Sequence, residues 1–184
     1  MIRRNILAAG AVLATAALIA LPAMAALKLG ARAPDFTLPG FKAGAPITYS
    51  LAEARKKGPV VVYFFPAAFT GGCDLEAHLF AEAADDFAAA GATIIGVTAG
   101  SIDKLQAFSA DNERCSGKFP VAADQGAKVA KLWKSTLPTG ISNRTSYVIS
   151  PSGEVLFVHS EMNPREHVTL TLAAVRKWKA SKRG

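Results

Sequence analysis

The stretch from Val60 to Glu76, Val-Val-Val-Tyr-Phe-Phe-Pro-Ala-Ala-Phe-Thr-Gly-Gly-Cys-Asp-Leu-Glu, constrains this chain more than any other part of it. Its first six residues are continuously apolar and rich in β-branched and aromatic types, the pattern of a strand buried on both faces. Pro66 cannot continue a ladder, so the strand ends there. Gly71 and Gly72 predict a tight turn with exposed backbone. From Asp74 onward Leu75, Leu79, Phe80, Ala84 and Phe87 recur at helical spacing, and Gly91 suits the stop. Cys73 therefore falls in the first turn of a helix that follows a central strand. There the unpaired N–H groups and the positive end of the helix dipole favour a thiolate over a thiol. That places a nucleophile at the carboxyl edge of a sheet.

The rest of the chain supplies the remaining layers. Pro34, Pro39, Gly40, Gly44 and Pro46 punctuate short extended pieces between Gly30 and Ser50. Thr93 to Thr98 reads as a second buried strand. Ser101 is placed to cap a helix whose Ile102, Leu105 and Phe108 share a face. Phe119 to Ala122 is a short strand, and Asp124 is placed to cap a helix running to about Trp133. Pro151-Ser152-Gly153 joins strands at Ser146–Ser150 and Val155–His159 as a hairpin. A last amphipathic helix uses Val168, Leu172, Val175 and Trp178. Alternating strands and helices followed by a hairpin and a helix predict an α/β fold, a mixed central sheet with helices on both faces.

The N-terminus reads as a targeting segment. Arg3 and Arg4 precede an apolar run from Ile6 to Leu21, and Ala23-Met24-Ala25 fits a signal peptidase site. A membrane anchor competes with this reading, but the run is short and Pro22 interrupts it. Cleavage after Ala25 divides the chain into a signal peptide, residues 1–25, and one domain, residues 26–184, exported to the periplasm. The Arg3-Arg4 pair leaves general and twin-arginine export both open. The formal charge of +7 owes much to Arg176, Lys177, Lys179, Lys182 and Arg183 at the end of the chain. These suit a solvated helix end, and no aromatic platform or binding motif accompanies them, so nucleic acid is not expected as a partner.

Residues 66–73, Pro-Ala-Ala-Phe-Thr-Gly-Gly-Cys, resemble the Pro-x-x-x-Thr-x-x-Cys signature of peroxiredoxins. Ala33-Pro34-Asp35-Phe36-Thr37-Leu38 is similar to the opening segment of that family and of related thioredoxin-like domains. Arg144 stands just before a strand and a Pro-Ser-Gly turn, as the family's second active-site arginine does. The resemblance spans about Gly30 to Trp178 and is closest to the bacterioferritin-comigratory, or peroxiredoxin Q, type. It implies a thioredoxin-like fold and a thiol-dependent peroxidase for hydrogen peroxide and organic hydroperoxides, with Cys73 oxidised to a sulfenic acid. It implies that Thr70 orients sulfur and peroxide, that Pro66 shields the sulfur, and that Arg144 donates to both. Glu76 would hold the arginine, the amides around Gly72 and Cys73 would polarise the peroxide, and Phe69 would wall the pocket. No cofactor or metal is implied. A thioredoxin-like protein or a small thiol would serve as reductant, with no membrane partner after cleavage, and the chain would be a monomer or weak dimer.

Taken singly these residues have ordinary readings. A lone cysteine in an apolar sequence is often just buried, an isolated arginine is a surface residue, and Thr70 suits a helix cap. His78 and His159 suit surface or core polar positions, and no Cys/His pair has zinc-site spacing. Asp74 and Glu76 place negative charge beside Cys73, which Arg144 would offset. Cys115, the only other cysteine, has two readings in an exported domain. It is either the partner in a structural disulfide or, as the resemblance implies, the thiol that resolves the sulfenic acid of Cys73. A one-cysteine mechanism also stays open. Two other function classes remain beside the peroxidase. A periplasmic thiol–disulfide oxidoreductase would need a Cys-x-x-Cys or Cys-x-x-x-Cys pair, and positions 76 and 77 are Glu and Ala. A silent thioredoxin-like binding module would not need Thr70, Cys73 and Arg144 together.

Overall fold

The computed structural model describes residues 26–182. The leader read at residues 1–25 lies outside the described residues. A hairpin opens the fold, β1 (Thr37–Lys42) and β2 (Ala45–Ser50) pairing antiparallel. The Ser50 hydroxyl accepts from the Glu53 N–H and caps α1 (Leu51–Arg55). β3 (Val60–Phe64) is buried at every residue. Then come α2 (Gly71–Glu82), α3 (Ala84–Ala89), β4 (Thr93–Thr98), α4 (Leu105–Ala110), β5 (Val121–Ala123) and α5 (Lys128–Leu132). β6 (Thr145–Ile149), β7 (Val155–Ser160) and α6 (Arg165–Ser181) complete the domain. The strands lie in the order β2-β1-β5-β4-β3-β6-β7. β4 pairs parallel with β3 and β5, and the other pairs are antiparallel.

The run of apolar residues in β3 has the cause expected of it. Val61 and Tyr63, with Phe65, pack against Phe80, Phe87, Phe108 and Leu172 from the helices on one side. Val60, Val62 and Phe64 face Leu51, Ala130 and Trp133 on the other. Alternate side chains of one strand thus supply both cores, so neither face has a polar set. Tyr63 has room because β4 carries Gly96 opposite it. A Cβ there would stand 2.7 Å from the tyrosine hydroxyl. Among the described residues no helix is long and apolar enough to cross a membrane.

Three local expectations are corrected. Gly71 and Gly72 do not form a separate turn but are the first two residues of α2, and the turn lies upstream, where Phe69 takes φ 59°. The following helix is slackened at Ala83 into two pieces, although the Phe87 N–H still reaches the Ala83 carbonyl. Ser101 does not cap with its side chain. It turns left-handed at φ 52° and leads through a 3₁₀ turn, Ile102–Lys104, into α4. Asp124 caps α5 across a 3₁₀ turn, its carboxylate accepting from the N–H groups of Val129 and Ala130 at 3.0 and 2.8 Å.

Candidate active site

The end of β3 delivers the chain to the site. Phe65 N–H bonds to the Val97 carbonyl, and the Pro66 carbonyl accepts from the Thr98 hydroxyl at 3.1 Å, which fixes the turn where the ladder stops. The chain then passes the left-handed Phe69 and enters α2 at Thr70, whose carbonyl takes the Asp74 N–H. The Thr70 hydroxyl does not cap the helix. It donates back to the Ala67 carbonyl at 2.9 Å. Cys73 is the third helical residue, beside first-turn amides that have no partner earlier in the helix, and only 2% of its surface is exposed.

Arg144, immediately ahead of β6, reaches this sulfur. Its Nη2 donates to Cys73 Sγ at 3.4 Å, its Nη1 to Glu76 Oε2, and its Nε to the Met162 carbonyl at 2.9 Å. Gly72 makes the approach possible, since a Cβ there would lie 3.0 Å from Nη2. Antiparallel pairing of β6 beside β3 is what carries an arginine so distant in sequence to the end of the central strand. Arg144 also lines a cleft of about 200 Å³ with Leu137, Asn143, Ser160, Glu161 and Met162.

Glu76, one turn beyond Cys73, is completely buried, and its Oε2 accepts from Arg144 Nη1. Burial raises its carboxyl to about 8, outweighing the guanidinium beside it. Its second oxygen lies 3.4 Å from Nδ1 of His167 on α6. Burial pulls that imidazole down to about 4; the hydrogen bond to the Glu161 carbonyl opposes this, and the nearby His159 and Arg144 charges add to it.

Asp74 is neutralised from a side the sequence did not announce. Arg114 pairs with it at 3.0 Å and with Asp111 at 2.8 Å, and lays its guanidinium 4.7 Å over the Phe69 ring. Phe69, 37% exposed, stands edge-on to Phe108. Cys115 follows Arg114 and is fully buried. Both cysteines are free thiols in this structure. Burial, then the carboxylates of Asp111 and Asp74, push the Cys115 thiol far up.

The structure therefore gathers Cys73, Gly72, Glu76 and Arg144 into direct contact, with Pro66 and Thr70 on the approach and Phe69 at the rim. Cys115 belongs to the same hydrophobic core as Cys73. Sequence reasoning missed His167 and Arg114. His167 had a signal, since it shares the buried stripe of α6 with Thr171 and Val175 at helical spacing. Nothing local marked Arg114. Among the described residues no three His, Cys, Asp or Glu side chains cluster as a metal ion would require.

The pattern of the AhpC/TSA family matches residues 29–158. The chain belongs to that family and is a peroxiredoxin. The chloroplastic peroxiredoxin Q of Sedum lineare is 32% identical over 153 residues, which cover 82% of this chain and 78% of that protein. The chloroplastic peroxiredoxin Q of Oryza sativa subsp. japonica is 32% identical over 78% of this chain, which spans 64% of the rice protein. A crystal structure of the peroxidoxin BcpB of Mycobacterium tuberculosis superposes with a TM-score of 0.70 at 31% identity, covering 82% of this chain and 97% of that one. Its thioredoxin-like architecture is the one described above.

The buried carboxyl has a consequence for stability. Above pH 4.5 an unfolded Glu76 gives up its proton, whereas the folded protein keeps it to about pH 8. The folded state then holds more protons, so stability falls as pH rises through that window. His167 has the opposite slope between about pH 4 and 6.5. Urea titrations are expected to show stability declining from pH 6.5 to 8 in the parent, and a flatter profile in Glu76→Gln. Equal slopes in the two proteins would mean that Glu76 is ionised at neutrality.

Proposed function

We propose that this peroxiredoxin reduces hydrogen peroxide and organic hydroperoxides at Cys73 and resolves the product with Cys115. The observation that carries the reading is the Arg144 guanidinium at 3.4 Å from Cys73 Sγ, at the start of a helix. A cation and free amides stabilise a thiolate, the reactive form of cysteine. The thiolate attacks the nearer peroxide oxygen. An S–O bond forms, the O–O bond breaks, sulfur loses two electrons to become a sulfenic acid, and the leaving oxygen takes a proton and departs as water or alcohol. Arg144 and the amides at Gly72 and Cys73 stabilise the charge that develops on the oxygens. The Thr70 hydroxyl spends its hydrogen on Ala67, which leaves its lone pairs to accept from the peroxide O–H and orient it. Pro66 and Phe69 keep bulk water from the sulfur.

Cys115 then attacks the sulfenic sulfur, forming S–S and releasing water, and a dithiol reductant of the thioredoxin type reopens the bond. The free state of both thiols supports this order of events over a structural disulfide. Peroxide consumption in dithiothreitol, followed by mapping of thiols after one equivalent of peroxide, tests the whole sequence. A Cys73–Cys115 bond is expected. Sulfenic or sulfinic acid on Cys73 with Cys115 still free would assign resolution to an external thiol. Export and cleavage after Ala25 rest on the composition of residues 1–25, and the monomer or weak dimer on the type of peroxiredoxin. A mature N-terminus beginning at Ala26, and sedimentation of the reduced protein, are the corresponding checks.

Arg114 sets how readily the two cysteines meet. Its pair with Asp74 ties the Cys115 loop to the start of α2, and its pair with Asp111 braces the loop against the end of α4, so the buried thiol reaches Cys73 by opening of that loop. Arg114→Gln should speed disulfide formation about fivefold, taking about 1 kcal/mol for the lost partly exposed pairs. Rapid quenching with an alkylating agent reads the rate. An unchanged or slower rate would show that resolution does not pass through that opening.

A further inference from the structure

The scheme above leaves one oxygen of Glu76, the His167 ring and the Ser146 hydroxyl without a role, and all three residues are fully buried. His167 Nε2 lies 2.9 Å from the Glu161 carbonyl, which only accepts, so Nε2 carries the hydrogen. In the neutral ring Nδ1 is then an acceptor, and the Ser146 hydroxyl donates to it at 2.8 Å. The same Nδ1 faces Glu76 Oε1 at 3.4 Å, and Oε1 has no hydrogen-bond partner. An ionised, partnerless oxygen is costly where solvent is excluded and is repelled by an accepting ring nitrogen, whereas a hydrogen on Oε1, shared at Nδ1 with the one from Ser146, makes the contact attractive.

The charges around the pair lead to the same place. Facing it are Tyr63 from β3, Cys73 on α2, Arg144 ahead of β6, and His159 on β7, whose ring centroid is 4.6 Å from that of His167. Arg144 is the one permanent cation among them. With Cys73 as thiolate and Glu76 ionised, two buried negative charges would share it. One proton on the pair restores neutrality, which a low-dielectric interior favours.

We propose that His167 is a positioning residue of the peroxidatic site, and that Glu76 keeps a proton on Oε1 directed at His167 Nδ1 while Oε2 holds Arg144 against Cys73. The inference rests on the proposed function. The segment before α6 holds both partners, since Arg144 Nε donates to the Met162 carbonyl and His167 Nε2 to that of Glu161 beside it. Burial shifts Glu76 upward and His167 downward, which sets the proton on the carboxyl.

Infrared spectra of the reduced protein at pH 7 read that proton directly. A carbonyl band of protonated carboxylic acid is expected in the parent, absent from Glu76→Gln and shifted in frequency in His167→Gln and His167→Asn. The second-order rate of Cys73 oxidation by hydrogen peroxide should fall roughly tenfold in His167→Gln, since displacing reacting groups by about 1 Å costs up to a hundredfold. It should recover in part in His167→Asn, whose amide returns a polar group near the Nδ1 position. A parent spectrum without the band, or a band that His167→Gln leaves unmoved, overturns the proposal. Should neither histidine variant fold, ¹⁵N NMR of the parent decides. A neutral His167 beside a carboxylic acid band that is present in the parent and absent from Glu76→Gln supports the proposal, and a missing band or a doubly protonated ring refutes it. Failure of the peroxidase reading would appear separately, as a parent protein that does not consume peroxide whatever its infrared spectrum.

Discussion

Replacing Cys73 by serine is expected to reduce peroxide consumption to the background of dithiothreitol alone, a loss on the order of a thousandfold or more, in a protein that stays folded. Serine is slightly smaller than cysteine, and its hydroxyl can accept from the Arg144 Nη2 that now faces the sulfur at 3.4 Å. The buried guanidinium therefore keeps a partner, and the fold loses little. Cys115 will not substitute as nucleophile. It is fully buried, and burial together with Asp111 and Asp74 keeps its thiol protonated. The two cysteines share one hydrophobic core but differ in surroundings, with the Arg144 guanidinium and first-turn helical amides beside Cys73, and burial with Asp111 and Asp74 outweighing Arg114 at Cys115. Turnover in the serine protein comparable to the parent would remove Cys73 as the electron donor.

Much of this arrangement was legible in residues 60–76. The strand was readable because a β-strand that feeds two cores has no polar face to interrupt its apolar run, and Val60–Phe64 is buried throughout. The place of the candidate nucleophile was readable because a strand end, a helix start and a cysteine fall within a few residues. Arg144 needed the family resemblance, and the sheet order explains how it reaches Cys73: β6 lies antiparallel beside β3, so the residue ahead of one strand comes to the end of the other. The start of α2 was misplaced by a few residues, since glycines suggest a turn wherever they stand, whereas here Gly72 serves to admit the guanidinium. His167 and Arg114 escaped for a different reason. Each acts through tertiary contacts with α2 that no periodicity encodes, one from the last helix and one from the loop after α4.

Arg144→Met should lower the second-order rate with hydrogen peroxide by about a hundredfold to a thousandfold, the usual cost of removing one preorganised donor from developing negative charge. Methionine fills most of the stem's volume, so lost packing is a minor part of the effect. Three contacts go with the guanidinium: the donor to Cys73 Sγ, the pair with Glu76, and the hydrogen bond to the Met162 carbonyl. Breaking a buried ion pair usually strands a charge at a cost of about 3–5 kcal/mol. Here the stranded group is a carboxyl already raised to about 8 by burial, and without its cation it simply retains the proton. The stability loss should therefore fall well below that range while reactivity drops in full. Alkylation of Cys73 by iodoacetamide at pH 7 should slow as well, because the cation that favours the thiolate is gone. Peroxide and alkylation rates within about threefold of the parent would mean that Arg144 does not act on the reacting sulfur. A stability loss as large as that of a stranded charge would mean that Glu76 is ionised in the folded protein.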